Sequence, residues 1–429
     1  MHDDRAVLEA WAERWRRLHP GLGPPKVVLV AASGGAYRSS YWTGMVLDEL
    51  TRRDVPGAAL EGVVDAIRIL TGASGGMVGS GYFAALRASE TPRASVVEAM
   101  TRDTRRDSLR PIVQQMVRRD IPLTAAPLPY QVEERGTTLD RQWRTMERPI
   151  AELAEAEGEG RCPSMIISPM LVESGRRMLI SNLDLGHLAA TWSASGRFFS
   201  QSAVQFFRMF PSSREGFKLS TAVRMSATFP YASPAVSLPT SPPRRLVDAG
   251  YYDNYGVNLA VNWANYHRDW IAQHTAGVAL IQVHAYATDD VKKSTAPPAE
   301  PAAGEPSRAV GSLTPAARPN NAPARLFARL ATSFSWLTTP GEGAMSARGW
   351  TMSFRNDEQV RMLDDHFNAI EPGLFETFVF ENPVAFALNW FLSEHDVAEM
   401  ARQIGEGHNL AELERLAAWW KRARGAGRP

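Results

Sequence analysis

Residues 67–86 read IRILTGASGGMVGSGYFAAL, the most informative stretch of the chain. A short aliphatic run leads into Gly72, Ser74 and two more glycines, and small and apolar residues at helical spacing follow. This order predicts a strand, a sharp turn and a helix, with Ser74 at the apex, where flanking glycines permit strained backbone angles. The hydroxyl would lie near a helix N-terminus, whose N–H groups favour developing negative charge. Taken alone, Gly-x-Ser-x-Gly is also compatible with a turn whose serine merely caps a helix.

The composition is that of an ordinary globular protein with a large core. The 429 residues are 44% hydrophobic and 22% charged, and the formal net charge is +1. There is therefore no bulk electrostatic attraction to nucleic acid or to an anionic surface. The single cysteine, Cys162, excludes an internal disulfide framework and is compatible with a reducing compartment.

The N-terminal segment and the apolar runs bear on localisation. The first residues lack the apolar core of a secretory signal, and the stretch around Trp11 and Trp15 predicts an amphipathic helix of the mature protein. No uninterrupted apolar run approaches the roughly 18 residues that a membrane span requires. We therefore expect a cytoplasmic protein whose contact with membranes is at most peripheral.

A second strand and glycine turn precede the Ser74 turn. Residues 26–32, KVVLVAA, are typical of a buried parallel strand, and they lead into a glycine turn over 33–39 and a helix over 41–50. Strand, helix, strand and helix in this order predict a wound α/β sheet. Ligand sites in such sheets lie beyond the carboxyl ends of the strands, where both glycine turns are expected.

Further elements are predicted along the chain. Strands are expected over 245–248, 277–284 and 375–380, helices over 257–270 and 410–424, and a hairpin from 164–172 and 177–181. The aromatic cluster over 198–210 is interpreted as core, with a wall or cap for an acyl chain as the alternative.

The domain organisation is predicted from composition. One catalytic domain is expected over 1–429, with its core at about 24–287 plus 340–429. Residues 288–324 are rich in proline and alanine and have no core of their own, which predicts a flexible insert.

Three turns follow one another in a specific order: GGAYR at 34–38, GASGG at 72–76 and DAG at 248–250. Together with RMSATFPYASP at 224–234, they resemble the patatin-like phospholipases and the related cytosolic phospholipase A group. The resemblance covers roughly residues 24–290. It implies an α/β fold of three layers, α/β/α, with a central mostly parallel sheet, a serine nucleophile elbow and an irregular helical cap.

The resemblance implies a Ser–Asp dyad for the chemistry. Ser74 would attack a carboxylic ester and Asp248 would take its proton without a histidine, forming an acyl-enzyme that water releases. A carboxylate is a weak base in water, and desolvation in a closed site would raise its pKa.

The first glycine loop is the predicted oxyanion hole. Gly34, Gly35 and Ala36 would supply N–H donors, each worth about 3–4 kcal/mol in catalysis. Arg38 would steady this loop or, as the resemblance implies, bind the phosphate of a lipid. Ala36 stands where the family has its third glycine, and Ser39 where patatins usually have another. Alanine retains the N–H, provided that the loop does not need a positive φ there.

Several alternatives remain open from the sequence. A Ser–Asp–His triad with His284 as the third member has the chain order of α/β-hydrolases. The expected substrate is a phospholipid or another acyl lipid at a membrane surface. Alternatives are an esterase or thioesterase acting on soluble acyl groups, and a catalytically silent lipid-binding protein. No metal, no cofactor and no nucleic-acid partner is expected for this chemistry.

Overall fold

The computed structural model describes residues 1–104, 108, 114–120, 122, 136–192, 198–228, 235–287, 351–383, 390 and 392–422. The chain divides into two compact units, Met1–Thr288 with Asn356–Pro429, and Asp289–Arg355. The described part of the second unit, 351–355, is helical. The predicted flexible insert, 288–324, lies outside the described residues, and the single-domain organisation stays a prediction.

Fourteen strands occur in the described part of the chain. In chain order they are β1 His2–Asp3, β2 Val27–Ala32, β3 Ile67–Gly72, β4 Ser164–Ile166, β5 Met170–Leu171, β6 Arg177–Leu179, β7 Leu183–Asp184, β8 Ala190–Trp192, β9 Phe198–Gln201, β10 Ala203–Gln205, β11 Val236–Leu238, β12 Arg244–Val247, β13 Val278–His284 and β14 Phe375–Glu381.

The helices of the first unit are numbered in the same way. They are α1 Asp4–Leu18, α2 Ala36–Arg53, α3 Ser74–Arg87, α4 Val96–Asp103, α5 Thr137–Asp140, α6 Glu152–Gly158, α7 Gly186–Ala189, α8 Phe206–Met209, α9 Leu219–Met225, α10 Val257–Tyr266, α11 Arg268–His274, α12 over 356–370, α13 Glu394–Gln403 and α14 Gly407–Lys421. Short 3₁₀ turns cover Arg144–Met146, Pro211–Ser213 and Ala249–Tyr251, and a π-helical turn covers Met116–Asp120. No described helix has both the length and the apolar character needed to cross a bilayer.

A five-stranded parallel sheet forms the centre, in the order β14-β13-β2-β3-β4, with helices on its faces. β2 and β3 are buried along their whole length, as expected for inner strands covered on both faces. They end in register, with Ala32 opposite Gly72. Because both strands run in the same direction, the two glycine turns leave the sheet side by side at its carboxyl edge. The predicted α/β class and mostly parallel sheet are confirmed.

A second, mixed sheet has the order β10-β6-β5-β12-β11. It changes one prediction, because 164–172 is not a single hairpin strand. Its first part, β4, pairs with β3 in the central sheet. The predicted antiparallel hairpin does form, through a bridge between Ile167 and Ile180 and, beyond Pro169, through β5, which pairs with β6 and also with β12. Proline lacks the N–H that would continue a ladder, which explains why the apolar run is divided between two sheets. Strand β12 carries Asp248 at its end.

The first and last described helices pack on the body of the unit. Helix α1 is amphipathic as predicted, and its buried face includes Trp11, whose Nε1 donates to the carbonyl of Asp65 at 2.8 Å. At the end of α14, Trp419 is buried, and Lys26 Nζ donates to the carbonyl oxygens of Trp419 at 2.6 Å and Trp420 at 2.7 Å. A lysine at a helix C-terminus satisfies its last carbonyl groups. Each buried tryptophan contributes roughly 2–3 kcal/mol by the area it removes from water.

Candidate active site

Ser74 begins α3 directly after β3, with a backbone φ of +49°. Left-handed backbone in a residue with a side chain costs about 1–2 kcal/mol and is typical of functional turns. The Ser74 N–H donates to the carbonyl oxygen of Ser226 at 3.0 Å, and the residue is 9% exposed. The structure thus places Ser74 at the apex of a strained strand-to-helix turn and at the N-terminus of a 14-residue helix, as predicted.

The glycines after Ser74 allow two loops to pack backbone against backbone. A Cβ on Gly75 would overlap the carbonyl oxygen of Ala36, and one on Gly76 would lie 2.5 Å from that of Ser33. Neither position can carry a side chain unless the loop after β2 moves. The GASGG sequence is therefore explained by the neighbouring loop as well as by its own turn.

The loop after β2 does need a positive φ at position 36, where glycine would be less strained than alanine. Ala36 has a φ of +51°, so the position where the family has glycine does require a left-handed conformation, and alanine adopts it. The Ser39 hydroxyl donates to the carbonyl of Ser33, and Ser33 Oγ accepts the N–H of Ala285 at 2.8 Å. These bonds hold the loop against the end of β13. Ser39 therefore stabilises the loop at a position where patatins usually have glycine.

The oxyanion assignment of Gly34 needs correction. Its N–H donates to the backbone carbonyl of Asn254 at 2.7 Å and is not available to a substrate oxygen. The N–H groups of Gly35 and Ala36 have no acceptor among the residues that the structure describes. Ala36 is the first residue of α2, so its N–H is one of those that a helix leaves unpaired at its start.

Asp248 follows β12 and is buried. Its Oδ1 accepts the N–H of Gly250 at 2.7 Å, which fixes the carboxylate within the DAG turn. The next residue, Ala249, donates its N–H to the carbonyl oxygen of Ser226 at 3.3 Å. This is the same oxygen that accepts from Ser74, so one carbonyl joins the backbone of the serine turn to that of the aspartate turn.

The side chain of Asn254 lies between these groups. A Cβ on Gly34 would overlap Asn254 Oδ1 and lie 3.3 Å from Ser74 Cβ. A Cβ on Gly250 would lie 2.8 Å from Asn254 Oδ1 and 2.9 Å from Asp248 Oδ1. The glycine loop, the serine turn and the aspartate turn are therefore near neighbours, although together they span more than 200 residues of the chain.

Sequence reasoning did not assign a role to the Ser226 carbonyl. For Asp253 and Asn254 it predicts only that they satisfy backbone groups in the turn after Asp248. Ser226 was part of the stretch 224–234 that carries the family resemblance, which is the signal that could have marked it; 229–234 lies outside the described residues. Asp253 behaves as expected from its turn. Its carboxylate accepts the N–H groups of Tyr255 and Asn258 and the side-chain amide of Asn356, each at 3.0 Å.

Arg38 lies in the first turn of α2 and is 3% exposed. Its guanidinium carbon lies 3.8 Å from the ring centroid of Tyr286, a cation–π contact. The preceding Tyr37 is buried, and its hydroxyl lies 2.9 Å from Ser108 Oγ and accepts from Trp143 Nε1 at 3.2 Å. Burial raises the pKa of Tyr37, so it stays neutral. The start of α2 is thus anchored on two sides.

His284, the histidine of the alternative triad, ends β13. Its Nδ1 lies 3.4 Å from Glu381 Oε1, and its ring centroid lies 5.2 Å from that of Tyr255. Its carboxylate neighbour at ion-pair distance is therefore on β14.

The aromatic cluster belongs to the core in part: Phe206 and Phe207 are buried, Phe210 is half-buried and Met209 is exposed. The Phe206 ring lies 4.6 Å from that of Phe217 and 5.1 Å from that of Phe210. The side chains of Phe198 and Phe199 are outside the description.

The fold and the site together define an α/β protein with a serine at a strand-to-helix turn, next to a glycine loop and an aspartate turn. The family model described as Patatin-like phospholipase matches residues 30–261, which is more than half of the chain and includes all three turns. The chain therefore belongs to the patatin-like phospholipase family. No curated protein sequence matches it significantly.

Solved structures of low sequence identity are similar to this chain. Human GIVD cytosolic phospholipase A2 matches at 12% identity over 65% of this chain and 46% of that chain, with a TM-score of 0.37. Its complex with methyl gamma-linolenyl fluorophosphonate matches at 15% identity over 65% and 45%, with a TM-score of 0.33. VipD from Legionella pneumophila matches at 11% identity over 91% and 67%, with a TM-score of 0.35. The chain spans about half the length of the human structures, and with every TM-score below 0.5 the family assignment rests on the family model alone.

Proposed function

We propose that the protein is a lipid acyl hydrolase of the phospholipase A or lysophospholipase type, which cleaves carboxylic ester bonds through Ser74 and Asp248. The observation that carries this proposal is the Ser226 carbonyl, which accepts N–H groups from both the Ser74 turn and the Asp248 turn. A nucleophile and its base must lie within hydrogen-bond reach, which requires that the segments carrying them be adjacent. The backbones of the Ser74 turn and the Asp248 turn meet this requirement. Family membership supports the same assignment.

In the proposed reaction Ser74 Oγ attacks the ester carbonyl while Asp248 takes the hydroxyl proton. The leaving alcohol then takes this proton, and the acyl group stays on Ser74 Oγ. Asp248 next takes a proton from water, whose oxygen attacks the acyl-enzyme, and gives this proton to Ser74 Oγ as the fatty acid is released. The burial of Asp248 supports its role as base, because a desolvated carboxylate binds a proton more readily than one in water.

The oxyanion of each step would be held by the N–H groups of Gly35 and Ala36. Their lack of acceptors among the described residues, and the N-termini of α2 and α3 at the same sheet edge, support this role. Gly34 contributes through shape, because its missing side chain leaves room for Asn254 and Ser74.

For Arg38 we propose support of the loop. A buried guanidinium stacked on Tyr286 is placed to fix the start of α2. The dyad is preferred to the Ser–Asp–His triad because the carboxylate at ion-pair distance from His284 belongs to Glu381 and not to Asp248. A cytoplasmic location and peripheral contact with membranes remain predictions.

An alkyl fluorophosphonate tests the proposal, because it labels activated serine nucleophiles. We expect labelling of the wild-type protein and of Ser80→Ala, a control in the same helix, and none of Ser74→Ala. Asp248→Asn should lower ester hydrolysis by about 10³-fold, and His284→Ala should retain it within a few-fold. An unlabelled wild type would support the silent lipid-binding protein, and a loss in His284→Ala equal to that in Asp248→Asn would support the triad.

The substrate class is tested separately. The protein is assayed on phosphatidylcholine and lysophosphatidylcholine vesicles and on soluble short-chain esters and thioesters. A lipid acyl hydrolase should prefer long acyl chains presented on vesicles. A preference for the short soluble esters would favour the esterase or thioesterase.

A further inference from the structure

A buried group of two histidines and one aspartate lies outside the machinery described above. Asp4 Oδ2 is 2.8 Å from His267 Nε2 and 3.4 Å from His187 Nε2. One ligand atom from each of the three side chains lies within 4.8 Å of the other two. Two imidazoles and one carboxylate form a ligand set typical of zinc and other divalent transition metals.

Three separate elements of the fold bring these residues together. Strands β1 and β7 pair in parallel, with Asp3 opposite Asp184, so the segments after them leave at the same end. Asp4 is the next residue after β1, and His187 lies in the first turn of α7, just after β7. His267 lies at the junction of α10 and α11, where the continuous helix predicted over 257–270 is broken.

The side chains are held in place and largely withdrawn from water. The exposed fractions are 7% for Asp4, 11% for His187 and 2% for His267. The His187 ring stacks on Tyr266, with centroids 3.8 Å apart. His187 Nε2 is buried and has no hydrogen-bond partner among the described residues. A buried ring nitrogen without a partner is costly, and a metal ion would satisfy it.

The electrostatics of the group also suit a cation. Asp4 supplies one negative charge, and the carboxylate of Asp184 also acts on His187. Asp184 is already ion-paired with Arg208 at 2.6 Å, so the charge that a cation would balance here is that of Asp4.

We propose that Asp4, His187 and His267 form a binding site for a divalent transition metal, with zinc as the preferred ion. Tetrahedral zinc with bonds of about 2.0–2.1 Å separates its ligand atoms by roughly 3.3 Å. The 3.4 Å between Asp4 and His187 already matches this spacing, and the 2.8 Å between Asp4 and His267 must open by about half an ångström. The fourth position would hold water.

The site is separate from the ester chemistry. The aspartate turn precedes the N-terminus of α10, whereas His267 follows its C-terminus, about 15 Å away along the helix. A metal there would tie α1 to the segments carrying α7 and α10. Its expected effect is on stability and not on the chemical step.

The experiment uses the full chain without a polyhistidine tag, stripped with a chelator. Cobalt(II), a coloured substitute for zinc, is titrated in and followed by its visible absorption, and zinc is added in competition and in thermal unfolding. We expect one equivalent to bind, zinc to displace cobalt, and zinc to raise the Tm. His187→Gln and Asp4→Asn should each weaken binding at least 100-fold and remove the shift in Tm.

The variants are chosen to separate loss of the site from loss of the fold. His267 is the most buried ligand, so the test rests on His187→Gln, which keeps a polar side chain at a less buried position, and on the isosteric Asp4→Asn. His395→Ala, at an exposed position on α13, is the matched control and should bind like the wild type. Binding weaker than about 10 µM, or binding that survives both variants, would overturn the proposal.

Discussion

Two neighbouring turns of this protein each contain a non-glycine residue with a left-handed φ, but this conformation serves a different purpose in each turn. The first follows β2 and the second follows β3, and each leads at once into a helix. Ala36 in the first and Ser74 in the second have φ of +51° and +49°, and they are the non-glycine residues with positive φ in the described chain. At Ser74 the strain presents a hydroxyl, which glycine cannot supply. At Ala36 the proposed role needs only the backbone N–H, which glycine would supply with less strain.

This comparison separates strain that the proposed chemistry requires from strain that it only tolerates. The two turns also depend on each other, because the carbonyl of Ala36 occupies the space that a side chain on Gly75 would need. The loop after β2 and the turn at Ser74 are therefore one packed unit. Three predictions test the difference and the dependence, from the largest expected effect to the smallest.

The largest difference is expected in activity when each strained residue is replaced by glycine. Ser74→Gly removes the nucleophile and should lower ester hydrolysis by about 10⁴-fold or more. Ala36→Gly keeps the N–H and the backbone shape, so activity should stay within about threefold of the wild type. The measurement is kcat/KM on one lipid ester. A large loss in Ala36→Gly would mean that the Ala36 methyl group has a role that its N–H does not explain.

The dependence of one turn on the other is tested by Gly75→Ala. The new methyl group overlaps the Ala36 carbonyl, so we expect a loss of about 3 kcal/mol in the free energy of unfolding and at least 100-fold in kcat/KM. Gly21→Ala is the matched control, because its methyl group would meet nothing within 4 Å. Wild-type behaviour of Gly75→Ala would show that the two loops are not packed as described.

The smallest effect is the release of strain itself. Ser74→Gly and Ala36→Gly should each raise the free energy of unfolding by up to about 1 kcal/mol, because relief of left-handed strain exceeds the added entropy of the unfolded chain. Ala10→Gly in the interior of α1, where the backbone is ordinary helix, should lower it by about 1 kcal/mol. Urea unfolding followed by circular dichroism measures all three. Equal destabilisation in Ala36→Gly and Ala10→Gly would argue against strain at Ala36.

Much of the central sheet was predictable, because inner parallel strands are buried on both faces and appear as continuous apolar runs. This holds for β2, β3 and β13. At 164–172 the predicted hairpin forms, but the prediction missed that its first run is divided between two sheets. At His267 the prediction was wrong, because one predicted helix is two. Both breaks depend on which neighbour each segment packs against, and local periodicity carries no information about that.

The candidate site likewise has features that were predictable from the sequence and features that were not. The order of the GGAYR, GASGG and DAG turns pointed to the family from the sequence alone, because each turn needs its own glycines to form. The use of the Gly34 N–H by Asn254 and the shared Ser226 carbonyl were not visible there, and neither was the meeting of Asp4 with two histidines. Residue types and local spacing determined the class of fold and the candidate nucleophile and base. Tertiary structure alone decided which donors remain open and which buried side chains meet, because hydrogen-bond partners and burial depend on segments far apart in the chain.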